Sequence, residues 1–230
     1  MARRMSTDSE DRFGRTDYLV TRELPGVISK YNVRSSILDF GCGTGLSTQF
    51  LKSLNYDCIG VDSNLEMLNL AIQNDPSGIY IESITNIVLP FENDRFEMVV
   101  STFVLFEIES LNTMISVFKE ISRILRHGGI FIAVTGSEEL YKRDWLSLDV
   151  KNFPENKNPK SGDICRINLK DINLILNDYF WTHDDYVYAS KDAGLLLAKS
   201  SFPLGSVNDG INWKDEIYYP PYVFYEFIKP

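Results

Sequence analysis

Residues that commonly bind metals are scarce in this chain of 230 residues, which has three cysteines (Cys42, Cys58 and Cys165) and two histidines. The cysteines are odd in number, and their positions form neither a CxxC pair nor another ligand spacing. A disulfide framework and a zinc site are therefore not expected. We expect reduced thiols and no bound metal.

Positive charge and long apolar runs are also in short supply. Lys and Arg total 23 against 32 Asp and Glu, which gives a formal net charge of -9. Proteins that bind nucleic acid usually present a basic face. No apolar run approaches the roughly 20 residues of a membrane span, and Arg3 and Arg4 are not followed by the apolar stretch of a signal peptide. We expect a soluble, cytoplasmic protein with no nucleic-acid or membrane partner.

Short apolar runs alternate with helical patterns through the first half of the chain. This alternation is typical of βαβ units, in which helices cover both faces of a parallel sheet. The pattern predicts a helical segment at 18–31, interrupted by Pro25, and then the strands 37–40, 58–61, 79–82, 96–101 and 130–134. Helices are predicted at 46–54, 64–72 and 112–125. The length and composition predict one α/β domain.

The alternation stops near Thr135, and residues 136–181 have a different composition. They predict a charged helix at 138–145, a polar loop and a hairpin within 164–176. Thr182 and Asp185 have the spacing of a helix cap, and two final strands are predicted at 194–199 and 222–229. We therefore divide the domain into an N-terminal helical segment (1–34), a core (35–135), an inserted cover (136–181) and a final helix with strands (182–230).

The loop GCGTG, residues 41–45, lies between a predicted strand and a predicted helix. A nucleoside triphosphate loop requires a Lys after its last glycine, which is absent here. A dinucleotide loop has the pattern GxGxxG, and Leu46 occupies the position of its last glycine. This mismatch makes NAD a weaker candidate but does not exclude it. Asp39, just before the loop, should place a carboxylate at the mouth of the strand, where it would repel a pyrophosphate and attract a cation. S-adenosylmethionine carries that positive charge, and Asp62 has the position of a ribose-binding acid.

Four segments together resemble the class I S-adenosylmethionine-dependent methyltransferases: ILDFGCGTG, GVDSNLEML, LPFENDRFEMVVSTFVLFEI and ISRILRHGGIFIAV. They occur in the family's order over roughly residues 35–135. The resemblance implies a Rossmann-like α/β fold, with a sheet of six parallel strands and one antiparallel strand. It also implies that S-adenosylmethionine is bound and S-adenosylhomocysteine is released.

The resemblance also implies which residues hold the cofactor. Gly41, Cys42 and Gly43 should surround its methionine part, with Ser101 to Phe103 beneath, while Asp62, Ser63 and Met67 should hold the ribose and adenine. Ser83 and Ile84 should flank the adenine edge, although the residues around Ser83 depart from the common family pattern.

The candidates for catalysis and acceptor binding come from position. Glu107 follows the fourth strand, where it either lines the pocket or is a solvated carboxylate, and His183 is either a base of near-neutral pKa or an ordinary residue of a helical first turn. Tyr18, Tyr141 and Trp181 are candidates for the acceptor pocket. An aromatic group that includes Tyr141 and Trp181 forms either a cage for the acceptor or the underside by which the insertion is anchored.

The predicted function is methyl transfer to a nitrogen, oxygen or carbon of a small molecule. Two alternatives stay open: an RNA or protein methyltransferase, and a non-catalytic module that binds S-adenosylmethionine. The acidic charge disfavours RNA. The sequence does not determine the acceptor, its reacting atom or the oligomeric state.

Overall fold

The structure is a computed structural model that describes residues 15–34, 36–85 and 87–230. The charged segment 1–14 lies outside the described residues. Within the described ranges, no helix is long and apolar enough to cross a membrane. In the same ranges, no cluster of three or more His, Cys, Asp and Glu side chains has an arrangement that suits a metal ion.

A seven-stranded sheet forms the centre of the fold. Its order is β3-β2-β1-β4-β5-β10-β9. The strands are β1 (Ile37–Phe40), β2 (Cys58–Asp62), β3 (Ile79–Glu82), β4 (Phe96–Thr102), β5 (Leu125–Gly136), β9 (Leu196–Ser201) and β10 (Tyr222–Ile228). Strand β10 is antiparallel to both of its neighbours, and the pairs among β1 to β5 are parallel. The predicted arrangement of six parallel strands and one antiparallel strand is confirmed.

Five helices of eight residues or more accompany the sheet in the described ranges: α1 (Tyr18–Ile28), α2 (Leu46–Ser53), α3 (Leu65–Asn74), α4 (Leu111–Ile124) and α5 (His183–Asp192). Helix α1 contains Pro25 and ends three residues later. The side chain of Asn64 caps α3, and Ser110 caps α4. Thr182 and Asp185 form the predicted reciprocal cap of α5.

The insertion between β5 and α5 contains a second, antiparallel sheet. Its strands are β6 (Leu148–Asp149), β7 (Ile164–Leu169) and β8 (Leu174–Tyr179), so the predicted hairpin is confirmed. The helix predicted at 138–145 is wrong, since this segment consists of turns. The backbone amides of Asp144, Leu146 and Ser147 bond to side chains of Asp215, Glu216 and Thr16. These distant partners replace the i-4 carbonyls of a helix.

Alternate residues of each central strand belong to two buried clusters, one on each face of the sheet. The α1-side cluster contains Ile132 and Val134 of β5 together with residues of α1, α2 and the insertion. The α4-side cluster contains Phe131 and Ala133 together with residues of α4 and α5. The central strands are therefore buried on both faces, as parallel sheets require.

Candidate functional site

The glycine loop connects β1 to α2 at the carboxyl edge of the sheet, where ligands of open α/β folds bind. Gly41, Gly43 and Gly45 have φ angles of 73°, 53° and 81°. This left-handed region is costly for residues that carry a Cβ. The loop therefore requires glycine for its backbone shape at all three positions.

Close neighbours add a second reason at two of these glycines. A Cβ on Gly41 would collide with the side chain of Val104, and a Cβ on Gly45 would lie 2.7 Å from the hydroxyl oxygen of Tyr80. Tyr80 also lies beside Gly60 and donates a hydrogen bond to Asp75 at 3.3 Å. Sequence reasoning missed Val104 and Tyr80, because the contacts arise between neighbouring strands and their loops.

Asp62, at the end of β2, connects the glycine loop to the start of α3. Its Oδ2 accepts a hydrogen bond from the backbone amide of Gly43 at 2.8 Å, and its Oδ1 accepts one from Asn64 at the same distance. The side chain is partly exposed. A carboxylate oxygen accepts more than one hydrogen bond, so Asp62 can also accept bonds from ribose hydroxyls.

Asp39 lies beneath the loop. The position predicted from the sequence, at the mouth of the strand, is wrong. Its side chain is 0% exposed, and its Oδ2 accepts hydrogen bonds from Ser47 and Thr48 of α2, both at 2.6 Å. Burial raises the pKa of Asp39 to about 6, against the lowering effect of these two hydroxyls. Oδ1 is buried and has no hydrogen-bond partner among the described residues. Ser47 and Thr48 are further residues that sequence reasoning missed.

The end of β4 has two unusual features at the same edge. Ser101 is buried, and its Oγ has no hydrogen-bond partner within the part of the chain that the structure describes. Phe103 has a φ of +63°, a strained value for a bulky residue. Its ring lies 4.9 Å from that of Tyr222, centroid to centroid. Unpaired buried polar atoms and backbone strain often mark functional sites.

The other residues predicted to hold the cofactor differ in exposure. Ser63 is exposed and Met67 is partly exposed, at the start of α3. Ser83 is buried and donates its backbone amide to the carbonyl of Asp62, whereas Ile84 is 94% exposed. Cys42 is buried, which raises the pKa of its thiol above the ordinary value. Its thiol is therefore protonated and is a poor nucleophile.

Glu107 and His183, the two candidate bases, lie on different elements. Glu107 is exposed at the end of a short 3-10 helix, Leu105–Glu107, that directly follows β4. His183 begins α5, and its Nδ1 lies 3.1 Å from the hydroxyl of Tyr225. Its backbone amide donates to Glu138. Both residues lie near the carboxyl ends of central strands. Glu107 follows β4, and His183 is bonded to Glu138, which follows β5.

The aromatic residues of the insertion are divided between the two faces of the sheet. Tyr141 belongs to the α1-side cluster, where its hydroxyl donates to Asp178 at 3.2 Å. Trp181 belongs to the α4-side cluster, where its Nε1 donates to the carbonyl of Ile108 at 3.1 Å. Both rings are buried. The two rings therefore lie on opposite faces of the sheet, and their part in an acceptor pocket stays a prediction. The ring centroid of Tyr18 lies 6.2 Å from that of Trp213.

The insertion packs against the carboxyl end of β4. Strand β8 contacts the 3-10 helix Leu105–Glu107. Tyr141, Phe180 and Trp145 share the α1-side cluster with Phe103 and Tyr222. The edge that carries Ser101 and Phe103 is therefore enclosed on one side by aromatic side chains of the insertion.

Residues 38–133, which include the glycine loop, Asp62 and β4, match the family model described as "Methyltransferase domain". Residues 38–133 are therefore similar to a methyltransferase domain. The methyl donor of these methyltransferases is S-adenosylmethionine. The residues of the loop fit this cofactor, because the unpaired oxygens of Asp39 and Ser101 and the carboxylate of Asp62 lie at the ends of β1, β4 and β2, where the family binds it.

Two curated relatives of this methyltransferase domain carry methyltransferase names. One, from Bacillus subtilis, is named "Uncharacterized methyltransferase YodH" and is 35% identical over 101 residues, which are 43% of this chain and 42% of the relative. The aligned part thus spans less than half of that relative. The other, from Streptomyces griseus, is "N-demethylindolmycin N-methyltransferase", 25% identical over 69% of this chain and 68% of the relative.

Solved structures share the fold over nearly the whole chain. A methyltransferase from Methanosarcina mazei has a TM-score of 0.66 and 17% identity, covering 89% of this chain and 97% of its own. A protein from Pyrococcus horikoshii has a TM-score of 0.67 with 17% identity and covers 97% of this chain and 92% of its own. The similarity of fold therefore extends through the insertion and the final strands.

Proposed function

We propose that this protein transfers the methyl group of S-adenosylmethionine to a nitrogen, oxygen or carbon atom of a small molecule and releases S-adenosylhomocysteine. The main observation behind this proposal is the enclosure of the carboxyl end of β4. A crowded, aromatic-lined edge favours a small acceptor over a macromolecular chain. The net charge of -9 also disfavours RNA.

The Streptomyces relative supports the same acceptor class, since its name describes methylation of nitrogen in a small molecule. We extend to this chain only the class of acceptor, because the two proteins are 25% identical.

The methyl group of S-adenosylmethionine is activated by its sulfonium leaving group, so the protein's task is alignment and exclusion of water. In this proposal Gly41, Gly43 and Asp62 hold the cofactor. Phe103 and Tyr222 form the apolar side of the acceptor pocket, and residues 136–181 cover it. Glu107 or His183 acts as base where the acceptor keeps its proton near neutral pH.

The test is an assay of S-adenosylhomocysteine formation with panels of small amines, phenols, carboxylic acids and activated carbon acids. Bulk tRNA and denatured protein serve as competing acceptors, with methyl-labelled cofactor to locate the product. We expect label only in small molecules. Label in RNA or protein would overturn the acceptor class, and cofactor binding without label in any acceptor would favour a non-catalytic module.

A further inference from the structure

We propose that a groove beside the edge strand β9 is a second small-molecule site, which binds an amphipathic monoanion: a carboxylate joined to an apolar body. The groove has a volume of about 410 Å³ and lies between α1, β9 and residues 202–204. This volume is within the usual range of small-molecule sites. The proposal does not depend on the methyl-transfer activity.

The groove is separate from the cofactor edge. Strand β9 is the last strand of the sheet, and the order β1-β4-β5-β10-β9 places it four strand positions from β1. At the usual spacing between strands, this is about 19 Å from the strand that leads into the glycine loop. Helix α1 forms one wall of the groove. A ligand here would therefore not overlap the cofactor.

One part of the groove lining is apolar. Val27 and Phe224 are buried and form part of its lining, and Phe202 and Pro203 extend the apolar surface. Phe202 remains 49% exposed. An apolar ligand segment would remove this exposed surface from water, at roughly 25 cal/mol for each Å² buried.

The charges differ between the two ends of the groove. At one end, Arg22 is engaged by Glu23 at 2.8 Å and by Asp209 at 2.7 Å, so two carboxylates outweigh its single positive charge. At the other end, Lys30 pairs with the buried Glu226 at 2.9 Å. Lys199 of β9 is exposed, and no ion pair is recorded for it among the described residues.

This second end therefore has two ammonium groups and one carboxylate. Glu226 is 1% exposed, and its oxygens accept from Lys30 and from the hydroxyl of Tyr31. Its carboxylate is thus engaged by Lys30 and Tyr31. Lys199 is the register partner of Glu226 on β9, so both side chains lie on the same face of the sheet. An anion near Lys199 and Lys30 would be attracted, whereas a cation there would be repelled. At this end the two ammonium groups exceed the carboxylate by one charge, so we place the ligand's single negative charge here.

Gly26 shapes the wall formed by α1. A glycine within a helix costs roughly 1 kcal/mol relative to alanine. Apart from its own helix, no heavy atom of the described residues would lie within 4 Å of a Cβ at Gly26, so packing against them does not require glycine here. The position opens directly onto the groove. A large side chain at this position would fill the groove without displacing any core residue.

The experiment measures binding of octanoate and octylammonium to the full-length protein by titration calorimetry and by NMR shifts. These probes share an apolar chain and differ in charge. We expect octanoate to bind at least tenfold more tightly than octylammonium. Gly26→Phe should weaken octanoate binding at least tenfold, and the matched control Gly26→Ala should leave it within twofold of wild type.

Lys199→Gln tests the charge separately, since an exposed side chain can be replaced without loss of folding. It should weaken octanoate at least fivefold and leave S-adenosylhomocysteine binding unchanged. Absence of octanoate binding would overturn the proposal. Equal binding of both probes, or full octanoate binding in Gly26→Phe, would also overturn it, because either result would show nonspecific adsorption.

Discussion

The Oδ2 atom of Asp62 lies 2.8 Å from the backbone nitrogen of Gly43, so the end of β2 holds the glycine loop that follows β1. The other oxygen of the same carboxylate accepts from the backbone of Asn64, whose side chain caps α3. One side chain thus fixes both loops that the cofactor would contact. Its replacement should affect ligand binding both directly and through the loops.

We expect Asp62→Ala to weaken binding of S-adenosylhomocysteine by about 1 to 3 kcal/mol, through the loss of charge-assisted hydrogen bonds. Titration calorimetry measures the effect. Exposed Glu92, in the loop before β4, provides a charge-matched control whose removal should leave affinity unchanged. Wild-type affinity in Asp62→Ala would show that the ribose is held elsewhere.

Asp39 should make stability depend on pH. Its pKa of about 6 lies above the ordinary 3.8, so the folded protein holds this proton more tightly than the unfolded chain. The contribution of Asp39 to the free energy of unfolding is therefore highest below pH 3.8 and decreases as the pH rises to about 6.

Asp39→Asn removes this titration and keeps a side-chain oxygen for Ser47 or Thr48. Urea unfolding should be measured from pH 4 to pH 7. Across this interval the free energy of unfolding of the wild type should fall by roughly 2 to 3 kcal/mol relative to that of the variant. A constant difference between the two proteins over the whole interval would mean that the pKa of Asp39 is not raised.

Trp181 connects the insertion to the loop after β4 through its bond to the carbonyl of Ile108. Trp181→Phe keeps an aromatic ring and removes the donor, leaving a buried carbonyl without its partner. We expect a loss of about 1 to 3 kcal/mol in the free energy of unfolding. Cofactor affinity should remain within about 0.5 kcal/mol of wild type, the usual range for sites without a contact.

Hydrogen exchange on this variant, together with cofactor titration, checks both expectations. Faster exchange in residues 164–181 with unchanged exchange in the glycine loop is the expected pattern. Equal loss of protection in both segments would indicate that the insertion and the cofactor loop form one cooperative unit.

Glu216 joins three segments at a fully buried point. It accepts from the hydroxyl of Thr16 at 2.8 Å and from the backbone of Leu146 at 2.6 Å, and its second oxygen accepts from Lys214 at 3.0 Å. Glu216→Ala leaves several buried donors unpaired and should cost about 3 kcal/mol or more, measured by urea unfolding. Glu216→Gln keeps acceptors and should cost less.

The control is Glu155→Ala, which removes a surface ion pair with Arg166 and should change stability by less than about 1 kcal/mol. If Glu216→Ala lowered the free energy of unfolding no more than this control, the hydrogen bonds of Glu216 would not hold the three segments together.

The parts of the fold determined by local pattern were predictable from the sequence. Strand β3 at 79–82 and the cap formed by Thr182 and Asp185 match the structure, because strand period and cap spacing are short-range signals. The segment 138–145 carries a helical charge spacing, and Arg143 does pair with Glu139. The backbone of Asp144 nevertheless bonds to Asp215, 71 positions away, which no local pattern records.

In the candidate site, too, local features were predictable from the sequence and contacts between distant segments were not. The glycine loop and Asp62 were recognisable from their spacing. The burial of Asp39 under Ser47 and Thr48 follows from how α2 packs on β1, and the contact of Tyr80 with Gly45 follows from the pairing of β3 with β2. The separation of Tyr141 from Trp181 depends on which face of the sheet each residue reaches, which sequence spacing alone did not reveal.

The most direct test of the account is titration calorimetry of the wild-type protein with S-adenosylmethionine, S-adenosylhomocysteine and NAD. The match of residues 38–133 to a methyltransferase domain and a loop without a dinucleotide pattern favour S-adenosylmethionine over NAD. We predict binding of the first two ligands and no measurable binding of NAD. Binding of NAD with no binding of S-adenosylmethionine would contradict the account.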